Sequence, residues 1–175
     1  NLSNNNGVLG VMLREDFSEE FNKKYRGDDK KLYEEHPLGP NVDEIIEMID
    51  NKRKEWYFDK IFLSTMYYES IDKFKDAFGD IVYTVDRERR PYDISKDKRR
   101  RTATSSSEES YRMYVENKEY FDKENVVYMY EMILLAKCDY FIAPHCSGSA
   151  AALVFNAGRF KDIKVLENKR YTKGY

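Results

Sequence analysis

The chain has 175 residues, and its 30 lysines and arginines against 32 aspartates and glutamates leave a net charge of −2, so no overall charge marks it for nucleic acid. Charged residues make up 35% of it, yet 15 tyrosines and 10 phenylalanines supply the apolar surface of a domain with a real core, which excludes a disordered chain. No apolar run approaches the length of a transmembrane helix and no signal peptide opens the sequence, while Cys138 and Cys146 lack metal-ligand spacing and read as reduced thiols, as in a cytoplasmic protein. The first residue is Asn1 rather than Met and a strand follows closely, as expected of the later part of a longer protein.

Gly7 to Leu13 is an apolar run of strand length, expected to be a central parallel strand, and it ends in Arg14-Glu15-Asp16. Ser18 to Pro40 is polar and carries Gly27, Pro37, Gly39 and Pro40, which predicts a loop with at most a short helix. Asn41, with Glu44 three residues on, has the form of a capping box, and Val42, Ile45, Ile46, Ile49 and Trp56 then share one helical face. Lys60 to Thr65 is predicted as a second strand. Tyr67, Ile71, Phe74 and Phe78 mark a second helix ended by Gly79, and Ile81 to Val85 a third strand.

Across residues 86–110 the pattern breaks. Arg87, Arg89, Arg90, Lys96, Lys98 and Arg99 to Arg101 outnumber the acids, and a run of Thr and Ser follows. A mobile, solvated loop is expected there, with a substrate-facing basic flap as the lesser alternative. No aromatic residue is spaced through Lys96 to Ser107 to stack bases, so nucleic acid is set aside as a partner. Glu109 to Tyr120 has helical character. Asn125 to Lys137 is predicted as a helix buried through Val126, Val127, Tyr130, Ile133 and Leu134.

Asp139 to Ala143 has the content of a short buried strand, broken by Pro144 and His145. Cys146 to Ser149 forms a tight polar corner, and the alanines with Leu153, Val154 and Phe155 read as a buried helix stopped near Gly158. Ile163 to Leu166 is a last strand. This alternation predicts one α/β domain over residues 1–175, a Rossmann-like parallel sheet with helices on both faces.

Ligands of such sheets bind at the carboxyl ends of the strands. That rule draws together Arg14-Glu15-Asp16, Ser64-Thr65 and His145 to Ser149. A helix start offers unpaired N–H groups at the positive end of its dipole, Ser147 and Ser149 add hydroxyls, and Gly148 admits a ligand to the backbone; this suits a phosphate. The plainer reading of the corner is a serine cap on a core helix. Arg14 facing it would complete a diphosphate clamp through its planar fork, against the plainer reading of a surface arginine paired with Glu15 or Asp16.

Gly10-Val-Met-Leu-Arg-Glu-Asp-Phe17 resembles the Gly-Val-x-x-Arg strand end of fucosyltransferases of the α-1,6, nodulation and protein-O-fucosyltransferase type. The likeness is nearer to bacterial relatives associated with polysaccharide genes. It continues in order through His36-Pro-Leu-Gly-Pro40, Leu63-Ser-Thr65, Phe121-Asp-Lys-Glu-Asn125, Leu134-Leu-Ala-Lys-Cys-Asp139 and Ser147-Gly-Ser-Ala-Ala-Ala-Leu153. The resemblance implies the C-terminal, donor-binding half of a GT-B glycosyltransferase that transfers fucose or a related sugar from GDP-fucose, or another nucleotide sugar, to a glycan acceptor. Transfer would be inverting and independent of metal or other cofactor. Arg14 and Asp16 would be catalytic; Arg14, His145, Ser147, Gly148 and Ser149 would hold the donor phosphates; Met12, His36 and Thr65 would meet base, ribose or sugar. An acceptor-binding half is expected N-terminal to Asn1, and the location is cytoplasmic, at the periphery of a membrane where polysaccharide is assembled.

The chain departs from the family pattern at several positions. Glu15 stands where the α-1,6 enzymes carry a second arginine, Met66-Tyr67 replaces an acidic pair, and Pro144-His145 replaces a Gly-Arg whose charge a protonated His145 could restore. These departures keep open a second reading, a degenerate domain that retains the fold and binds no donor. A third, a hydrolase or acyltransferase using Cys146 at a helix start, lacks a His–acid pair in the sequence.

Overall fold

β1 (Gly7–Met12) runs through the middle of a five-stranded sheet in the computed structural model of the chain, which describes residues 7–15, 24, 37–93, 107–166 and 169–170. Next in the chain come β2 (Pro37–Leu38), α1 (Val42–Lys52), β3 (Phe58–Ser64), α2 (Tyr68–Phe78) and β4 (Val82–Tyr83). They are followed by α3 (Ser107–Glu116), α4 (Lys118–Leu135), β5 (Tyr140–Pro144), α5 (Ser147–Asn156), β6 (Asp162–Leu166) and β7 (Lys169–Arg170). The sheet order is β4-β3-β1-β5-β6, every pair parallel, while β2 and β7 form a separate antiparallel pair. The fold is therefore α/β with a Rossmann-like sheet. Its order reverses at β1, which pairs with β3 on one side and β5 on the other, and such a reversal opens a crevice at the carboxyl ends of the two neighbours.

The twofold alternation of β1 sets the layers. Leu9, Val11 and Leu13 pack into one core with Ile45 and Ile49 of α1 and Phe74 and Phe78 of α2. Met12 turns to the other face, into a second core with Met132 and Leu135 of α4, Phe141 of β5 and Ala152 of α5. On that face a Cβ at Gly10 would lie 3.1 Å from both Leu135 Cδ2 and Cys138 Sγ, so glycine lets α4 sit close on the sheet. Cys138 is buried there, and burial pushes its thiol up to about 12.

The capping box forms at α1: Glu44 N–H donates to Asn41 Oδ1 at 2.9 Å and Asn41 N–H to Glu44 Oε2 at 2.8 Å. Such a cap stabilises a helix by about 1 kcal/mol. Trp56 stacks on Tyr140 with centroids 5.1 Å apart, and its Nε1–H donates to Asp162 Oδ2 at 2.8 Å, tying the amino ends of β3, β5 and β6 together. Gly79 closes α2 at φ 67°, a backbone state that side chains resist.

Several expectations are corrected. The third strand is shorter than Ile81 to Val85, because Gly79–Ile81 forms a 3₁₀ turn. α4 buries Glu131, Met132 and Leu135, whereas Val126, Tyr130, Ile133 and Leu134 are exposed. Val154 and Phe155 of α5 also face outward. Residues 86–93 are not a solvated loop: Arg89 is buried, and Arg90 N–H donates to Met66 O at 2.8 Å while Tyr68 N–H donates to Arg90 O at 3.1 Å. Residues 94–106 of the expected loop lie outside the described residues. No helix among the described residues is long and apolar enough to cross a membrane.

Candidate functional site at the carboxyl edge of the sheet

β1, β3 and β5 all end at this edge, so Arg14, Thr65 and His145 follow three adjacent strand ends. Arg14 lines a cavity of about 320 Å³ with Arg87 and Arg90 from the stretch after β4. Tyr67 follows β3, Tyr114 belongs to α3, and Tyr120, Phe121 and Tyr128 of α4 complete a largely aromatic wall. Glu124 and Asn125 also face it, so much of the Phe121 to Asn125 segment singled out in the sequence forms cavity wall.

Behind the cavity lies a buried ionic cluster. Glu131 accepts from Arg87 Nη1 at 3.0 Å and from Ser64 Oγ at 3.1 Å, and Arg89 Nη1 stands 3.7 Å from its other oxygen. Arg87 Nη2 donates to Glu124, and Arg89 Nη2 donates to Val85 O at 2.8 Å. The side chains of Arg87 and Glu131 are only 3% and 1% exposed. Burial pushes the Glu131 carboxyl above the ordinary range against the pull of both arginines, and burial likewise lowers Arg89. Glu124, Tyr128 and Glu131 recur at four and then three residues, one face of α4.

Glu15, beside Arg14, is turned inward. It is buried and accepts hydrogen bonds from the hydroxyls of Thr65 and Ser70, and Ser70 Oγ lies 2.7 Å from Tyr92 Oη. Tyr92 N–H in turn donates to the Glu69 carboxylate at 2.9 and 3.0 Å. The end of β1, the start of α2 and the arginine stretch are thereby stitched into one wall.

The other predicted site residues are distributed as follows. Thr65 is buried; besides donating to Glu15, its hydroxyl accepts from Tyr67 N–H at 3.1 Å. Met12 is buried, with its sulfur 3.9 Å from Cys146 Sγ. His145 is exposed, and its N–H donates to Leu166 O at 3.3 Å. Cys146 rather than a serine caps α5: its N–H donates to Ser149 Oγ at 3.0 Å, and that hydroxyl donates back to Cys146 O at 2.8 Å. The Ser149 proton is thus committed within the turn, while Ser147 is exposed. Asp16 and His36 lie outside the described residues.

Arg14 lines this cavity, and residues 147–149 are not among its lining residues. A Cβ at Gly148 would overlap Tyr128 Oη and Met12 Cε, so these two side chains cover the approach to the helix start. Burial raises the Tyr128 phenol, while the charge of Arg14 pulls it down. Sequence reasoning did not assign Tyr128 or Glu131 to the site, whereas Glu124 lay in the Phe121 to Asn125 segment it singled out and Arg87 in the basic flap it held as the lesser alternative. The signal was present in Glu131, the one charged residue between Val126 and Leu135, and in its spacing of three and seven residues from Tyr128 and Glu124.

Comparison with protein-family models, with curated proteins and with solved structures finds no match.

Proposed function

We propose that this chain is the donor-binding domain of a metal-independent inverting glycosyltransferase whose donor is a nucleoside diphosphate sugar, with GDP-fucose as the first candidate. One observation carries the reading: Arg14 follows the strand at which the sheet order reverses, and it opens into a cavity walled by arginines and aromatic rings. Guanidinium forks suit phosphoryl oxygens, and flat rings suit a base or a sugar. The family resemblance supplies the reaction. An acceptor hydroxyl attacks the anomeric carbon, the bond from that carbon to the diphosphate oxygen breaks, and the charge left on the diphosphate is stabilised by Arg14. The base that takes the acceptor proton, and the glycan site, would belong to an N-terminal half. In this reading the protein acts on the cytoplasmic side, beside a bacterial membrane where polysaccharide is built.

Calorimetric titration with GDP, UDP and GDP-fucose tests it. Submillimolar binding of a nucleoside diphosphate is expected, weakened roughly tenfold or more in R14A, the scale of one charge-assisted hydrogen bond. No binding at millimolar concentrations would overturn it. A second reading, a degenerate domain without donor, is favoured by Met12 and Tyr128 over Gly148 and by the committed hydroxyl of Ser149. The same titration separates the two.

A further inference from the structure

Arg87 is an unusual side chain to bury. Its two terminal nitrogens are fixed by Glu131 at 3.0 Å and by Glu124, leaving it 3% exposed. Its remaining nitrogen, Nε, is buried and makes no hydrogen bond to any described residue. A buried polar group in that state costs free energy unless something else satisfies it. Arg87 also lines the cavity that Arg14 enters, whose volume of about 320 Å³ lies in the range of small-molecule sites, about 300–1,000 Å³. Its backbone is held independently, because the stretch it belongs to is bonded to Met66, Tyr68 and Glu69.

We infer that Arg87 is a ligand-binding residue that donates to a second phosphoryl group of a diphosphate whose first group meets Arg14, with Glu124 and Glu131 as the positioning residues that aim it. The inference rests on the donor reading above for the nucleoside, though not for the diphosphate. A guanidinium clamped on two sides loses little freedom when it takes up a third acceptor, so the site is preorganised. Tyr120 and Phe121 on the same wall offer rings to whatever the diphosphate carries.

The test compares wild type with R87K, which keeps the charge for Glu131 and Glu124 and removes Nε and the planar fork. Each protein is titrated with inorganic pyrophosphate, GDP and GMP, with thermal melts beside. R87K is expected to bind pyrophosphate and GDP roughly tenfold more weakly and GMP nearly as wild type does. Equal weakening for GMP and GDP, or none for either, would overturn the inference. GDP binding that R87K leaves untouched removes the inference and keeps the donor reading. Pyrophosphate binding that depends on Arg87, without any nucleotide binding, does the reverse. Should R87K fail to fold, the Arg87 Nε–H resonance of the wild type decides: it must shift on addition of pyrophosphate, and an unmoved signal sinks the proposal.

Discussion

The two edges of the sheet handle charge in opposite ways. At the amino edge, Asp139 accepts from Val8 N–H at 2.8 Å and from Lys161 Nζ at 2.8 Å, and Asp162 accepts from Trp56. These groups are near the surface and close on one another with little left over. At the carboxyl edge, Arg87, Arg89 and Glu131 are buried together, and Arg87 Nε and Glu131 Oε1 make no hydrogen bond to described residues. Surface pairs of the first kind contribute about 0–1 kcal/mol. Buried ions cost several kcal/mol each to desolvate, and only near-complete pairing recovers that. The difference is that the amino edge satisfies these charges within the fold, whereas the carboxyl edge leaves Arg87 Nε and Glu131 Oε1 without a hydrogen bond among the described residues.

The largest effect should come from breaking the buried cluster. Glu131→Ala leaves Arg87 and Arg89 facing each other without their shared carboxylate, and loss of one partner of a buried pair costs about 3–5 kcal/mol. Urea denaturation should show it, and a loss below about 1 kcal/mol would mean that solvent or another acid already screens the arginines. The pH dependence has a definite sign. Because burial raises the carboxyl in the folded state, the part of stability linked to its proton is fully present below its unfolded pKa of about 4.3 and is lost as pH rises through the folded value, leaving the pairing with the arginines. The stability gap between wild type and Glu131→Gln should therefore narrow as pH rises through that window.

A middling effect is expected where the second core meets the carboxyl edge. Gly148→Ala drives a methyl group into Tyr128 Oη and Met12 Cε. Methionine is flexible and yields, whereas the tyrosine ring packs against the second core and moves as a rigid unit. Overpacking of this kind costs about 1–3 kcal/mol. Tyr128→Phe in the same chain should restore part of the loss, and its failure to do so would place the strain on the backbone of α5 instead.

The sequence was readable wherever one element decided its own structure. β1, the capping box at Asn41 and the stop at Gly79 depend on residues within a few positions of one another, and they came out as expected. Two misreadings share a single cause. Apolar periodicity turned Val126, Tyr130, Ile133 and Leu134 inward, and charge density turned Arg87 and Arg89 outward. The fold does the opposite in both cases because Glu131 goes inside and takes the arginines with it. No local pattern reports a pairing across some forty residues. The candidate site suffered most from this. Arg14 lines the cavity as a strand-end residue can be expected to, whereas Tyr128 and Arg87 reach it only through tertiary packing.

The smallest effect belongs to the amino edge, and its sign separates the two regions most cleanly. Burial alone would raise Asp139, yet Lys161 and the Val8 N–H together hold its carboxyl below the usual range. A lowered folded pKa makes its contribution complete above the unfolded value of about 3.9 and removes it as pH falls through the folded one, the reverse of Glu131. Asp139→Asn should cost little at neutral pH, since the pair is partly exposed and the amide still accepts from Val8 N–H. It should flatten the acid limb of the stability curve, and added salt should shrink the wild-type advantage as it screens Lys161. If Asp139→Asn and Glu131→Gln changed the acid limb in the same direction, the two clusters would not differ in kind. The carboxyl edge would then lose its claim to be the edge prepared for a ligand.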